Sequence, residues 1–361
     1  MPHGGFTFCG THISSLGLSY APDIAETYVY RPAEAQSHIE TFDAHNGGYY
    51  YGSWYSPKNF VLRCFFEETN IDDGIMARIY AAFKVGKSGT LVFDLRPWCY
   101  YYATVTEPIQ ADFTNYLNGV ITITLQAMYP FARSDIFTDI NGSYHDKIIA
   151  NSAVFDKAGM ELPLQYDLTS QQTVLLANPG TERAGLGIKI SGDVGDGVTI
   201  TNSATRQLCK VVALTKAETT SKNKYLLIDP ISGKVTLKGA DIEELAFMYH
   251  HEGFLDLEPS FPVLRGIHAT YSIGNMVTIA EDLQDVIGKY IFLGSSWYKI
   301  VNQGDGYIVL NSNVPEQNLE EGQDEEEITE ITTIMDMNEI TIKPVTDMDI
   351  HVEFIFKPTY A

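Results

Sequence analysis

Glu252, Asp256 and Glu258, just after His250-His251, are the densest group of side chains suited to acid–base chemistry in this 361-residue sequence. Cleaving a glycosidic bond takes two carboxyl groups facing each other across a cleft, about 5–9 Å apart. Acidic residues crowded on one loop are ordinarily only solvated, and they are read that way here. His250-His251 lacks the H-E-x-x-H continuation of a zinc hydrolase. Asp193 and Asp196 lie among glycines, without the further oxygen ligands of a calcium loop. Cys9 and His12 have no second pair to complete a zinc site. Gly185-Leu186-Gly187 precedes no helix carrying a lysine, so no phosphate cradle is expected. Asn141-Gly142-Ser143 matches a glycosylation acceptor, which matters only in a secreted chain. No Ser-His-Asp grouping is legible from spacing. The sequence therefore predicts no catalytic residue, no metal site and no cofactor, and a protein that is not an enzyme.

Binding chemistry is better represented. Trp297, Tyr298 and Tyr307 could stack on a sugar ring or a partner, although a small sheet needs residues of this kind for its own core. Forty-six acidic against twenty-four basic residues give a formal charge of −22. That excludes a nucleic-acid reader, which displaces counterions with its own cations. It is compatible with a conduit whose wall repels passing DNA. The four cysteines, Cys9, Cys64, Cys99 and Cys209, are scattered and read as free, buried thiols. The N-terminus lacks the basic start and apolar run of a signal peptide, and no stretch is apolar enough to span a membrane. Cytoplasmic folding is expected.

The elements that must position these residues are mostly strands. Phe6-Thr7-Phe8 opens one, and Gly47-Gly48 leads into Tyr49-Tyr50-Tyr51, which Gly52 closes. Phe60 to Phe66 reads as a strand. Asp72 is a candidate N-cap for a helix with an apolar stripe at Ile75, Ile79, Ala82 and Phe83. Strands follow over Thr90–Asp94 and Trp98–Val105, and then over Val120–Tyr129, where Ile121, Ile123 and Leu125 alternate with polar residues. Residues 135–172 read as a polar connection with turn signals. From Thr173, short strands between glycines suggest a sandwich, including Ile188-Lys189-Ile190 and Val198-Thr199-Ile200. Tyr290–Leu293, Trp297–Val301 and Tyr307–Leu310 read as a small separate sheet. Residues 316–330 carry eight carboxylates and no base, the mark of a self-repelling loop. Val352–Phe356 closes the chain as another half-buried strand.

The order of these landmarks resembles the distal tail protein (Dit) family of siphovirus-type phages. The opening Phe6-Thr7-Phe8-Cys9-Gly10 with Leu16-Gly17-Leu18 is similar to that family's start. The glycine–aromatic turn from Gly47 to Gly52, the strand Gly89 to Asp94 and the run Tyr100 to Val105 follow in family order. The strand ending in Tyr129-Pro130-Phe131-Ala132 completes the first domain. Asn178-Pro179-Gly180-Thr181, Val198 to Asn202 and Leu227-Ile228-Asp229 resemble a galectin-like sandwich, and Val352 to Tyr360 its last strand. Two features depart from the family: about 75 residues before that strand, and an unusual richness in tyrosine.

The resemblance implies a mainly β protein. Residues 1–134 would be a ring-forming β-sheet domain with one packed helix, and 135–172 a connecting segment. Residues 173–273 and 349–361 would form a galectin-like β-sandwich, with 274–348 an inserted small β module bearing the acidic loop. It implies a structural virion protein at the tail tip, made in the host cytoplasm and forming a hexameric ring. The ring would join the tail tube protein to the tail-associated hub protein and leave a channel for DNA as passing cargo, with no membrane insertion. A receptor-binding protein or a host polysaccharide is a further possible partner. The ring and tube contacts are expected among Tyr49, Tyr50, Tyr51, Tyr100, Tyr101 and Tyr102, with alternate members in the core. The alternative reading is a carbohydrate-binding adhesion protein acting through its C-terminal half.

Overall fold

The structure is a computed structural model. It describes residues 5–20, 33–41, 48–66, 73–97, 99–115, 118–134, 137–138, 144–145, 164–192, 197–213, 224–230, 233–239, 243–245, 249–260, 262–271, 274–281, 283, 285–314, 328–344 and 349–360. The chain divides into two compact units: Met1–Asp135 with Thr359–Ala361, and Ile136–Pro358.

The strands of the first unit are β1 (Phe6–Phe8), β2 (Thr11–His12), β3 (Leu18–Tyr20), β4 (Ala35–Thr41), β5 (Gly48–Tyr55) and β6 (Lys58–Phe66). Helix α1 (Asp73–Ala82) comes next, then β7 (Ser88–Phe93), β8 (Tyr101–Val105), β9 (Gln110–Asn115), β10 (Asn118–Ala127) and β11 (Ala132–Arg133). An eight-stranded sheet runs β2-β1-β7-β8-β10-β6-β3, with β9 also paired to β10. Period-two alternation sets its inner face. Phe60, Leu62 and Cys64 of β6 point into the core while Asn59, Val61, Arg63 and Phe65 point out, and Ile121, Ile123 and Leu125 of β10 follow suit.

Helix α1 buries Ile75 and Ile79, and Phe83 just beyond it stacks on Phe8 with ring centroids 5.6 Å apart. Phe6 meets Tyr20 edge-on at 5.5 Å, and Phe60 meets Tyr101 at 5.0 Å. The stripe expected from sequence thus packs through Ile75, Ile79 and Phe83, with Ala82 at its margin. Gly86, at φ +83°, lies in the turn that follows. Asp72, the expected cap, lies outside the described residues.

The second unit continues with β12 (Phe137–Thr138), β13 (Tyr144–His145), β14 (Gln165–Leu168), β15 (Gln172–Leu176), β16 (Ala184–Gly192), β17 (Val198–Asn202) and β18 (Gln207–Ala213). Next are β19 (Lys224–Asp229), β20 (Lys234–Gly239), β21 (Glu243–Leu245), β22 (Tyr249–Glu252), β23 (Leu255–Leu257), β24 (Pro262–Tyr271) and β25 (Gly274–Ile279). The last are β26 (Tyr290–Leu293), β27 (Ser296–Gly304), β28 (Tyr307–Val314), β29 (Ile328–Met335), β30 (Asn338–Pro344) and β31 (Ile350–Ile355). The chain then returns to the first unit as β32 (Thr359–Tyr360), which pairs with β11.

Two sheets face each other in this unit: β14-β31-β16-β19-β20-β21 with β23 on β16, and β15-β30-β17-β18-β22. Their inner faces contribute Ile188, Ile190, Val198, Ile200, Ile340, Ile342, Val352 and Phe354 to one core, as in a β-sandwich. The strands β24-β25-β28-β27-β26-β29 close into a barrel with its own core of Ile267, Ala269, Val277, Ile300, Ile308 and Leu310. The two cores abut, because Tyr290, Phe292, Met335 and Met337 pack with the sandwich.

Several expected boundaries are corrected. The barrel begins at Pro262, ahead of the expected 274, because β24 alternates like a sandwich strand and only its pairing with β25 and β29 assigns it. It ends at Met335 rather than 348, since β30 lies between β15 and β17 in the sandwich. Within the supposed connection, β14 pairs with β31. The C-terminal Thr359–Tyr360 belongs to the first unit, not the sandwich. Gly52 does not close the aromatic run, for β5 passes through it to Tyr55. Asn141-Gly142-Ser143 and most of 316–330 lie outside the described residues.

Where the barrel leaves the sandwich, its incoming and outgoing strands are joined by buried amides. Asn338 Oδ1 accepts from the Glu258 amide at 2.9 Å and from Asn202 Nδ2 at 3.1 Å. Asn338 Nδ2 donates to the Glu258 carbonyl at 2.9 Å. Asn178 and Ser260 exchange hydrogen bonds beside it: the Ser260 amide donates to the Asn178 carbonyl at 2.8 Å, and the Asn178 amide to Ser260 Oγ at 3.1 Å. Buried polar atoms require such partners.

Candidate assembly surface

Strands β4 and β5 form a two-stranded hairpin outside the main sheet of the first unit. Residues on both of its faces are exposed. Tyr50 is 62% exposed and Trp54 53%, and Ile39, Tyr51 and Tyr55 are also exposed. Ile39 stands opposite Tyr50, Gln36 opposite Trp54 and Ala35 opposite Tyr55. The register slips between His38, which faces Gly52, and Ile39, which faces Tyr50, so Tyr51 has no opposite residue. Gly52, at φ +122°, supplies the backbone such a bulge needs. The extra residue brings Tyr51 to the His38 ring, with centroids 5.2 Å apart.

The base of the hairpin is anchored. The Ser56 amide donates to the Glu34 carbonyl at 2.9 Å, and Tyr55 meets Phe131 edge-on at 4.8 Å. Phe131 in turn meets Tyr129, whose ring carries the Arg133 guanidinium 4.1 Å above it. A lone two-stranded hairpin is marginal in water, and large apolar side chains exposed together mark a contact surface.

The other expected tyrosines divide by strand parity. Tyr102 is 60% exposed, Tyr100 is half-buried, and Tyr101 is 3% exposed. Tyr101 is a core residue. Its hydroxyl accepts from the buried Lys58 ammonium at 2.9 Å, and burial pushes its pKa up to about 12. The backbone of Tyr49 lies in β5, and its side chain is outside the described residues.

The aromatic candidates of the barrel serve the fold. Tyr298 is buried in the barrel core. Trp297 packs half-buried against Phe292, with centroids 5.2 Å apart. The Tyr307 ring lies over Gly304, where an added Cβ would come within 2.3 Å of it. Tyr298 is buried and Trp297 half-buried, while Tyr307 remains 37% exposed. Structural use therefore outweighs contact for Trp297 and Tyr298.

The possible acid–base group is likewise committed elsewhere. The Asp256 carboxylate accepts from Gln207 Nε2 at 2.8 Å, and Glu258 forms an ion pair with Arg183. The backbone of His250, His251 and Glu252 lies in β22, and their side chains are outside the described residues, as are Asp193 and Asp196. Gly185-Leu186-Gly187 lies within β16. In the first unit, His12 Nε2 approaches Asp94 Oδ2 at 3.1 Å, and the same carboxylate oxygen accepts the Gly5 amide at 2.8 Å. His12 Nδ1 receives the Ser14 amide at 3.2 Å, so this ring caps the short turn Ile13–Leu16. Among the described residues no cluster of His, Cys, Asp and Glu is suited to a metal. No helix there is long and apolar enough to cross a membrane.

Residues 13–127 match the family described as phage tail protein RIFT-related domain. Over that stretch the chain carries a phage tail domain. The match falls within the first unit and takes in β3 to β10 with α1 and the aromatic hairpin, in accord with the distal tail resemblance drawn from the order of landmarks. No curated protein matches the chain by sequence. Among solved structures, the chain is similar to SPP1 Dit (gp 19.1), described as a paradigm of the hub adsorption apparatus in Gram-positive infecting phages. That likeness has a TM-score of 0.46 at 8% identity and covers 98% of this chain and 99% of the other. Sequence reading missed the hairpin as a separate element. Its signal was present in Tyr49-Tyr50-Tyr51 and Trp54-Tyr55 on either side of Gly52, a density that one-sided strands do not need.

Proposed function

We propose that this chain is a distal tail subunit. Its copies close into a homohexameric ring that joins the tail tube to the tail-associated hub and leaves a channel for DNA. The observation that carries this reading is the projecting β4–β5 hairpin, which exposes Ile39, Tyr50, Tyr51, Trp54 and Tyr55 within the matched tail domain. Aromatic residues supply much contact area at small entropic cost. A head-to-tail interface makes a ring when its rotation closes and a filament when it does not. The second unit, a galectin-like sandwich carrying the barrel, is the part of this reading that would face outward partners at the tail tip.

The experiment is native mass measurement with negative-stain imaging of the purified chain, alone and with tube protein. Hexamers that bind the tube are expected, and the double substitution Tyr50→Ala/Trp54→Ala should reduce them to single copies of unchanged fold. A wild-type chain that stays single at tens of micromolar, with tube and hub proteins present, defeats the proposal.

A further inference from the structure

A head-to-tail ring needs two different surfaces, one that projects and one that receives. Resting on the ring reading, we infer that the outward face of α1 in one copy receives the β4–β5 hairpin of the next. An exposed helix face is normally dressed in polar groups of both signs. Here Tyr80 is 50% exposed, and Val85, just past the helix end, is 49% exposed. The exposed charges of the same stretch beyond the first turn, Arg78 and Lys84, are both cationic. The hairpin carries the opposite sign: Glu34 and Glu40 are exposed, with Glu40 beside His38 at 3.5 Å. Opposed charges of this kind select a partner and fix its register more than they add affinity.

A rival receiving surface is the outer face of the main sheet, where Val61, Arg63 and Phe65 are exposed. That face also carries carboxylates. Asp112 stands opposite Val120, and Glu107 accepts from Thr124 Oγ1 at 3.2 Å. They would repel Glu34 and Glu40, so the helix is the better complement. The five half-exposed large side chains give on the order of 500 Å² of apolar surface over both faces of the hairpin. The face turned to the helix supplies a part of it, and the rest of the roughly 800 Å² each partner contributes to a stable interface must come from the remainder of the ring contact.

The test mixes two single-cysteine populations of the full chain under mild oxidation, in a Cys9→Ser background, so that any link formed joins two copies. Tyr51→Cys with Ala81→Cys should give a disulfide-linked dimer, while Tyr51→Cys with Val61→Cys should not. In parallel, Arg78→Glu should weaken assembly at least tenfold, and Glu40→Arg added to it should recover most of the loss. All these positions are exposed, and near-wild-type thermal unfolding of each variant confirms that folding is intact. Rings that form normally in Arg78→Glu, or a crosslink at Val61 and none at Ala81, overturn the helix as receiver and leave the ring standing. Absence of any assembly in the wild-type chain overturns the ring reading itself.

Discussion

Replacing Asn338 with alanine should loosen the second unit by more than its single side chain suggests. The amide sits where the barrel's two connecting strands meet and serves both Glu258 backbone groups, accepting from the N–H at 2.9 Å and donating to the carbonyl at 2.9 Å. Its longer contacts, to the Leu176 carbonyl at 3.4 Å and Ser260 Oγ at 3.5 Å, add little. Asn202 would keep its 2.7 Å bond to the Asp256 carbonyl. The cost is therefore that of two part-buried backbone groups left without these partners, each roughly 1–3 kcal/mol, or about 2–6 kcal/mol together. At the low end this is about a thirtyfold change in the local opening equilibrium. Native-state hydrogen exchange at the Glu258 amide and along β30 reads that change directly, with urea unfolding of the second unit as a check. Asn302→Ala serves as control, because its side chain accepts only at an exposed site. If Asn338→Ala changes protection no more than the control, the amides do not hold the junction.

Other outcomes follow from the same structure. Gly253 stands at φ +73° with the Leu208 carbonyl oxygen 2.1 Å from where a Cβ would go, so Gly253→Ala should destabilise the sandwich by at least about 1–3 kcal/mol in denaturant unfolding. Burial alone would raise the Glu339 carboxyl, but hydrogen bonds from Lys299 and Tyr290 and the ammonium charge hold it below the ordinary value. Its contribution is thus present above the unfolded value near 4.5 and is lost as pH falls through the lower folded one. The stability difference between wild type and Glu339→Gln should accordingly shrink during acid titration. Burial pushes Cys64 and Cys209 up to about 12 and Cys99 to about 11. An alkylating reagent at pH 8 should modify half-exposed Cys9 first and reach the other three only on unfolding, as intact mass will show.

How much of this was legible in the sequence depends on whether a feature is local. Alternation along Phe60–Cys64 and Ile121–Leu125 fixed which faces of the main sheet are inside, because pleat parity needs no knowledge of partners. The α1 stripe was legible for the same reason. Boundaries in the second unit were not. β24 and β30 carry the same alternation, and only pairing separates a barrel strand from a sandwich strand. From sequence the aromatic run ends at Gly52, because a glycine there looks like a stop. In the structure it is a bulge, and the strand continues to Tyr55. Trp297 and Tyr298 show the limit for binding residues. Their types suit stacking, but whether a ring meets solvent or Phe292 is set by residues far along the chain.

The pairing of β11 with β32 means that residues 136–358 leave the first unit and come back to it at one doorway. The barrel repeats the plan inside that excursion, since Glu258 and Ser260 on its way in meet Asn338 on its way out. The chain is nested like boxes, each module hung from a host whose strand order it leaves untouched. Lengthening or exchanging an inner box costs the outer one only the geometry of its threshold. A chain built this way can exchange an inner module at its threshold while the outer sheet stays the same.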